Sequence, residues 1–156
     1  MLSMKKYFII SAFILSLSIA GCNNANTQGN GGTKNESSTV VVLTNDSFKK
    51  LIFDYDKSQD FKFAGTRPAI IDFYADWCAP CRQLSPLVES IAEEYKGKID
   101  VYKVDTEKEK LLAQNLGITG LPTLLFIPAE GMPRSSLGLI SREDMVKAVN
   151  DILLIK

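Results

Sequence analysis

Asp72-Phe73-Tyr74-Ala75-Asp76-Trp77-Cys78-Ala79-Pro80-Cys81 joins two segments of opposite pattern. Before it, Ala69 to Tyr74 is short and nearly all apolar, as expected of a central strand covered on both faces. After it, Leu84, Leu87, Val88, Ile91, Ala92 and Tyr95 recur at helical spacing until Gly97, which can end a helix. The two cysteines therefore fall where a strand gives way to a helix N-terminus. Partial positive charge and free N–H groups stabilise an anion there, so Cys78 is expected to have a lowered pKa. Pro80 in the first turn costs nothing, because its missing N–H had no helical partner. Pro86, deeper in the pattern, predicts a kink.

Working outward, Val40 to Leu43 is a β-branched run and reads as a strand. Thr44-Asn45-Asp46 offers an N-cap, with Phe48, Leu51, Ile52 and Tyr55 at helical spacing behind it. The polar stretch 56–67 fits neither period. Ile99 to Val104 reads as a strand, Glu107 to Leu116 as a helix stopped by Gly117, and Thr123 to Ile127 as another strand. The Glu107-Lys108-Glu109-Lys110 run reads as a solvated helix face. A turn around Glu130-Gly131 leads into Arg134 to Leu139, which pairs back. Ser141-Arg142-Glu143-Asp144 is a capping-box signature for a last helix carrying Met145, Val146, Val149, Ile152 and Leu153. The order β-α-β-α-β-α-β-β-α predicts an α/β domain: a parallel core, an antiparallel edge from the late hairpin, and helices on both faces.

Composition narrows the chemistry. The 156 residues fit one domain plus a further segment, and 46% apolar content is enough for a packed core. Lys+Arg and Asp+Glu are both 18, which argues against a nucleic-acid surface. No histidine occurs, so His-based acid–base catalysis, His metal sites and a Ser-His-Asp triad are excluded.

The N-terminus reads as an address. Lys5-Lys6 precede a 14-residue apolar run from Tyr7 to Ala20. A bilayer span needs about 20 residues, so the run fits a secretory signal. Ile19-Ala20-Gly21-Cys22 resembles a bacterial lipobox, which implies cleavage before Cys22 and acylation of its thiol and amine; a plain signal peptide or an uncleaved anchor is the simpler alternative. Several acyl chains together anchor a protein durably where one does not. Asn23 to Thr39 is rich in Asn, Gly, Ser and Thr and reads as a tether spanning about 20–25 Å as a coil. The expected organisation is a signal peptide over 1–21, a lipidated cysteine and tether over 22–39, and a folded domain over 40–156.

Of the three cysteines, Cys22 belongs to the lipobox, leaving Cys78 and Cys81 as a C-x-x-C pair. So short a loop constrains the unfolded chain little, and its natural use is redox cycling. Half a zinc site and an inert disulfide are the other uses of this spacing. Zinc would need two more ligands, and neither histidine nor further cysteine is present.

The segment from Asp72 to Cys81 resembles the active-site stretch of the thioredoxin family, usually Asp-Phe-Trp-Ala-x-Trp-Cys-Gly-Pro-Cys. Lys103 is similar to the family lysine on the next strand. Gly117-Ile118-Thr119-Gly120-Leu121-Pro122-Thr123 resembles the segment bearing the family's cis-proline, and Gly131 and Gly138 fit its later glycines. The resemblance covers about 40–156 and implies a thioredoxin fold, a central mixed sheet flanked by helices on both faces. Three departures stand out. Ala79 replaces the usual Gly, Tyr74 replaces the usual Trp, and the segment from Asp54 to Gly65 is longer than in minimal members, as extra helix, surface loop or partner site.

What the resemblance implies is a disulfide oxidoreductase, acting as a monomer, whose only redox group is the Cys78–Cys81 disulfide. It needs no separate cofactor or metal. Cys78 attacks a substrate disulfide, and Cys81, one turn inward and expected to be more buried, resolves the mixed disulfide. Asp72 is the candidate base, with a pKa raised by burial among Ile70, Ile71 and Phe73; the alternative is a carboxyl facing solvent at a strand end. Trp77, Ala79, Pro80, Gly120, Leu121, Pro122 and Gly138 are the expected substrate groove. Trp77 read alone also fits a core aromatic, Pro122 a trans turn proline and Lys103 a solvated strand lysine rather than a group tuning Asp72. The expected partners are disulfide-containing exported proteins, a transmembrane thiol reductant and, through Cys22, the membrane of a bacterial envelope on its periplasmic side. A dithiol oxidase and a non-catalytic binding module are the alternatives.

Overall fold

The computed structural model describes residues 39–153. Its elements are β1 (Val40–Val42), α1 (Asn45–Leu51), β2 (Ala69–Tyr74), α2 (Ala79–Glu94), β3 (Asp100–Asp105), α3 (Lys110–Asn115), β4 (Thr123–Ile127), β5 (Arg134–Leu137) and α4 (Arg142–Ile152), the expected order. The strands form one sheet in the order β1-β3-β2-β4-β5. β1, β3 and β2 run parallel, β4 is antiparallel to β2, and β5 is antiparallel to β4. The late hairpin thus supplies the antiparallel part, but β4 pairs directly with the central strand. Among the described residues no helix is long and apolar enough to cross a membrane.

The pleat of β2 sorts its side chains between two cores. Ala69, Ile71 and Phe73 pack with Phe48 of α1, Leu112 of α3, Val104 and Ile127. Ile70 packs on the opposite face with Leu84, Val88 and Ile91 of α2 and Met145 and Val149 of α4. Burying each Leu, Ile or Phe contributes about 1.5–3 kcal/mol before chain entropy is set against it. Asp72 shares the parity of Ile70, so the alternation of the strand delivers a carboxyl to the α2 face.

The helix ends follow local chemistry. Thr44 and Ser47 form a capping box on α1: the Ser47 N–H donates to Thr44 Oγ1 at 3.3 Å and the Thr44 N–H to Ser47 Oγ at 2.8 Å. Ser141 caps α4 by accepting from the Asp144 N–H at 3.1 Å. α2 runs without a break through Pro86, at the loss of one N–H donor, and ends before Gly97, whose φ of 80° suits glycine.

Two expectations need correcting. α1 stops at Leu51, so Tyr55 is not on its face. Ile52 and Phe53 both donate their N–H to the Phe48 carbonyl, which closes the helix. Tyr55 instead donates its hydroxyl to Asn45 Oδ1. The 54–65 segment beyond it is loop, tied down by Lys49–Asp56 and Lys57–Asp54 ion pairs and a 2.8 Å bond from the Ala64 N–H to the Ile52 carbonyl. The second correction concerns Glu107 to Glu109, which precede the helix rather than forming its face, so that only Lys110 of the run is helical. Asp105 accepts from the Glu107 N–H at 3.0 Å and pairs with Lys108 at 2.8 Å, holding a turn that delays α3 until Lys110.

Candidate active site

Cys78 and Cys81 are joined as a disulfide, with Cα atoms 5.2 Å apart. The apolar strand ends at Tyr74, and a tight turn closed by the Cys78 N–H on the Ala75 carbonyl, 3.1 Å, leads into α2. Cys78 is the N-cap residue of that helix, and its Sγ accepts from the Cys81 N–H at 3.2 Å. A sulfur thus stands where a capping oxygen usually does, and an orphan helix N–H points at it. Ala79 and Pro80 occupy the first exposed helical turn, as Pro80 permits.

The two cysteines are about equally covered, 2% and 3% exposed, so Cys81 is not the more buried of the two. The bond draws both sulfurs into one small cluster with Ala75, against which Tyr74 and Leu121 pack. Trp77 stands beside them 68% exposed, which rules out the core-aromatic reading.

The far side of the site comes from the loop before β4. The Leu121–Pro122 bond is cis, and the Pro122 carbonyl accepts from the Gly138 N–H at 2.8 Å. Gly138 has φ of 90°, a conformation that favours glycine. Thr123 Oγ1 donates to the Gly120 carbonyl at 2.7 Å and fixes the loop from inside. Trp77, Gly120 and Leu121 line one side of a 550 Å³ groove completed by Thr106, Gln114 and Ile118, with Glu107 and Lys110 at its charged end.

Behind the cysteines Asp72 is buried, 3% exposed, and among the described residues its Oδ1 is the only buried side-chain polar atom without a hydrogen-bond partner. Burial pushes its pKa up to about 6, against a smaller opposing pull from Lys103. The solvent-facing alternative for Asp72 is therefore excluded. Lys103 is its register partner on β3, and Lys103 Nζ lies 5.1 Å from the centre of the Tyr74 ring. Asp72, Lys103 and Tyr74 line a 150 Å³ cavity together with Cys81, Arg82 and Ser85. A polar space of that size has room for water, so a proton can pass between the carboxyl and Cys81 without direct contact.

Arg82 and Ser85 were not singled out in the sequence. Helical spacing carries the signal: Arg82 is four residues after Cys78, and Ser85 four after Cys81. Arg82 Nη1 also donates to the Asp76 carbonyl at 2.9 Å, bracing the turn. Among the described residues no group of three or more Cys, Asp or Glu side chains is placed to hold a metal.

Two cysteines bonded to each other at a helix N-terminus, with a buried acid lining the same cavity as the inner one, are the arrangement of a disulfide oxidoreductase. The comparisons make the class specific. Residues 39–151 match the family model described as Thioredoxin. Thioredoxin of Borreliella burgdorferi is 43% identical over 112 residues, covering 72% of this chain and 96% of that protein. Thioredoxin of Pyropia yezoensis is 36% identical over 112 residues, covering 72% and 95%. The crystal structure of chloroplastic thioredoxin z superposes with a TM-score of 0.63 at 26% identity, covering 74% of this chain and 96% of that one. The chain belongs to the thioredoxin family, and its redox group is a disulfide rather than a bound cofactor.

Proposed function

We propose that this protein reduces or exchanges disulfides in exported proteins while anchored through a lipid on Cys22 at the periplasmic side of a bacterial envelope. The reading of disulfide exchange is carried by the cavity that Asp72 shares with Cys81. The Cys78 thiolate attacks one sulfur of a substrate disulfide, and the first substrate thiolate leaves. Cys81 then gives its proton to Asp72 through the cavity and attacks Cys78 Sγ, and the second substrate sulfur leaves as a thiolate, which takes its proton from solvent. Two electrons pass to the substrate, and the Cys78–Cys81 disulfide forms. The exposed edge formed by Trp77, Ala79 and Pro80 would face the substrate, with Gly120, Leu121, Pro122 and Gly138 opposite. The backbone at Leu121 would pair with the extended substrate chain. Lys103 would set the acidity of Asp72.

Anchoring and export rest on the sequence of 1–39. Cys22 and the signal pattern lie outside the described residues. An exported reductase needs electrons from a transmembrane thiol donor, because the periplasm is kept oxidising. The test is the redox state of Cys78 and Cys81 in cells, trapped by acid quenching and alkylation, alongside membrane fractionation of wild type and Cys22→Ala. A mostly reduced pair and release of Cys22→Ala from membranes support the proposal. A mostly oxidised pair makes the protein a dithiol oxidase, and a Cys22→Ala protein still in membranes removes the lipid anchor.

A further inference from the structure

Next to the groove at Trp77 lies a second cavity, of 390 Å³, that the redox chemistry does not use. Its lining includes Phe53, Phe61, Leu116, Ile118, Leu125 and Leu137, and no charged residue contributes to it. The groove at the cysteines, by contrast, carries Glu107 and Lys110.

Two observations join the cavities. Ile118 and Thr119 line both. Gly120 of the groove also abuts Leu137 of the apolar cavity, since a methyl group built on Gly120 would fall 2.9 Å from Leu137 Cδ1. Anything that fills the apolar cavity therefore lies against the same loop that faces Cys78.

The outer wall has an unusual origin. Phe61 comes from the 54–65 loop, the segment longer than in minimal family members, and its ring lies 5.1 Å from that of Phe53. The ion pairs and backbone bond that hold this loop fix the wall in place. On the other side β5 ends the sheet, so its outer backbone groups have no strand partner among the described residues, while Ser135 and Leu137 face the cavity.

We propose that the cavity is a specificity subsite for the disulfide substrate: it takes one bulky apolar side chain, Leu, Met or aromatic, of an extended polypeptide whose cysteine lies at Cys78. The occupant is a polypeptide because the cavity adjoins the groove at Ile118 and Thr119 and is flanked by a strand edge. The lining is mostly apolar, with hydroxyls only from Thr119, Thr123 and Ser135, and so removes an apolar side chain from water. The proposal rests on the reductase reading of the groove and adds a substrate class to it: disulfides held in, or near, apolar sequence, as exposed by incompletely folded proteins.

The test uses the intact protein, regenerated with a chemical dithiol, against peptides of about ten residues carrying one disulfide-linked cysteine. Ser is replaced by Phe at each position on either side of that cysteine. Oxidised glutathione, which carries no bulky apolar side chain to fill the cavity, serves as a second substrate. The expected result is a rise in kcat/KM of about tenfold for Phe at one or two adjacent positions only. Phe61→Ser should abolish that preference while leaving turnover of oxidised glutathione unchanged. A wild-type protein that reduces every peptide equally overturns the subsite and leaves the reductase reading intact. Failure to reduce any peptide or oxidised glutathione overturns the reductase reading itself. The comparison among peptides needs only the wild type, so a Phe61→Ser protein that folds poorly does not blunt it.

Discussion

Asp72 and Lys103 face each other in register across β2 and β3, yet Asp72 Oδ1 receives no hydrogen bond from the lysine. The ammonium lies over the Tyr74 ring instead. A carboxyl kept from water and given a cation only at a distance is easier to protonate, and burial outweighs Lys103 in setting its pKa.

That balance makes stability depend on pH with a definite sign. The folded protein holds the Asp72 proton up to about pH 6, whereas the unfolded chain loses it near 3.8. Between those values the folded state binds more protons, so the contribution of this group is fully present below pH 3.8 and is lost as pH rises through about 6. At about 1.4 kcal/mol per pH unit the loss is on the order of 3 kcal/mol. Asp72→Asn should therefore be more stable than wild type at pH 8, and the gap should close by pH 4. Denaturant midpoints of the oxidised proteins at both pH values check this. An equal gap at pH 4 and pH 8 would show that the carboxyl does not titrate there.

The same substitution should slow catalysis. Without an acceptor in the cavity Cys81 must lose its proton to bulk water, so Asp72→Asn should lower the exchange rate by about 10²–10⁴-fold, the usual worth of a positioned base. The rise in wild-type rate centred near pH 6 should vanish with it. Stopped-flow Trp77 fluorescence across pH 5–9 reads both effects, and identical profiles for the two proteins would remove the base.

Lys103 pulls the Asp72 pKa down, so removing its charge must raise it. Lys103→Met should move the inflection of the pH–rate profile above the wild-type value, and a carbon-labelled carboxyl followed by NMR should move with it. An inflection that stays put or falls would mean that Lys103 does not act on Asp72.

The order of the two sulfurs is separable by trapping. Cys81→Ser should accumulate a stable mixed disulfide between Cys78 and a peptide substrate, visible by mass spectrometry, whereas Cys78→Ser should form none. Adducts on Cys81 instead would reverse the roles.

Away from the chemistry, the Thr44–Ser47 box fixes the start of α1. Thr44→Ala should cost about 1 kcal/mol of stability with exchange rates unchanged. Thermal and denaturant unfolding of the two proteins measures it, and a cost near zero would mean that water replaces the cap.

The elements near the cysteines were legible because local and tertiary demands agree there. The apolar run Ala69–Tyr74, the cap at Ser141 and the glycine at Gly97 each state one structure and meet it. The misreadings fall where a nearby side chain, or a backbone bond, overrides a local period. Tyr55 has helical spacing but turns to Asn45, and Glu107 is drawn out of a helix by Asp105. Cys81 was expected deeper than Cys78 by helix geometry, but the sulfur–sulfur bond levels them. The apolar cavity left no periodic mark, since Phe61 and Leu137 stand 76 positions apart and meet only in the folded sheet.

Because β4 pairs with the central strand from the opposite direction, the site is finished by residues that come late in the chain. A polypeptide made or threaded N-terminus first presents both thiols, and one bare edge of β2, before Thr123–Ile127 exists to cover it. For that interval the nascent chain is itself a reactive, strand-hungry client, exposed to mispairing with its neighbours until β4 arrives.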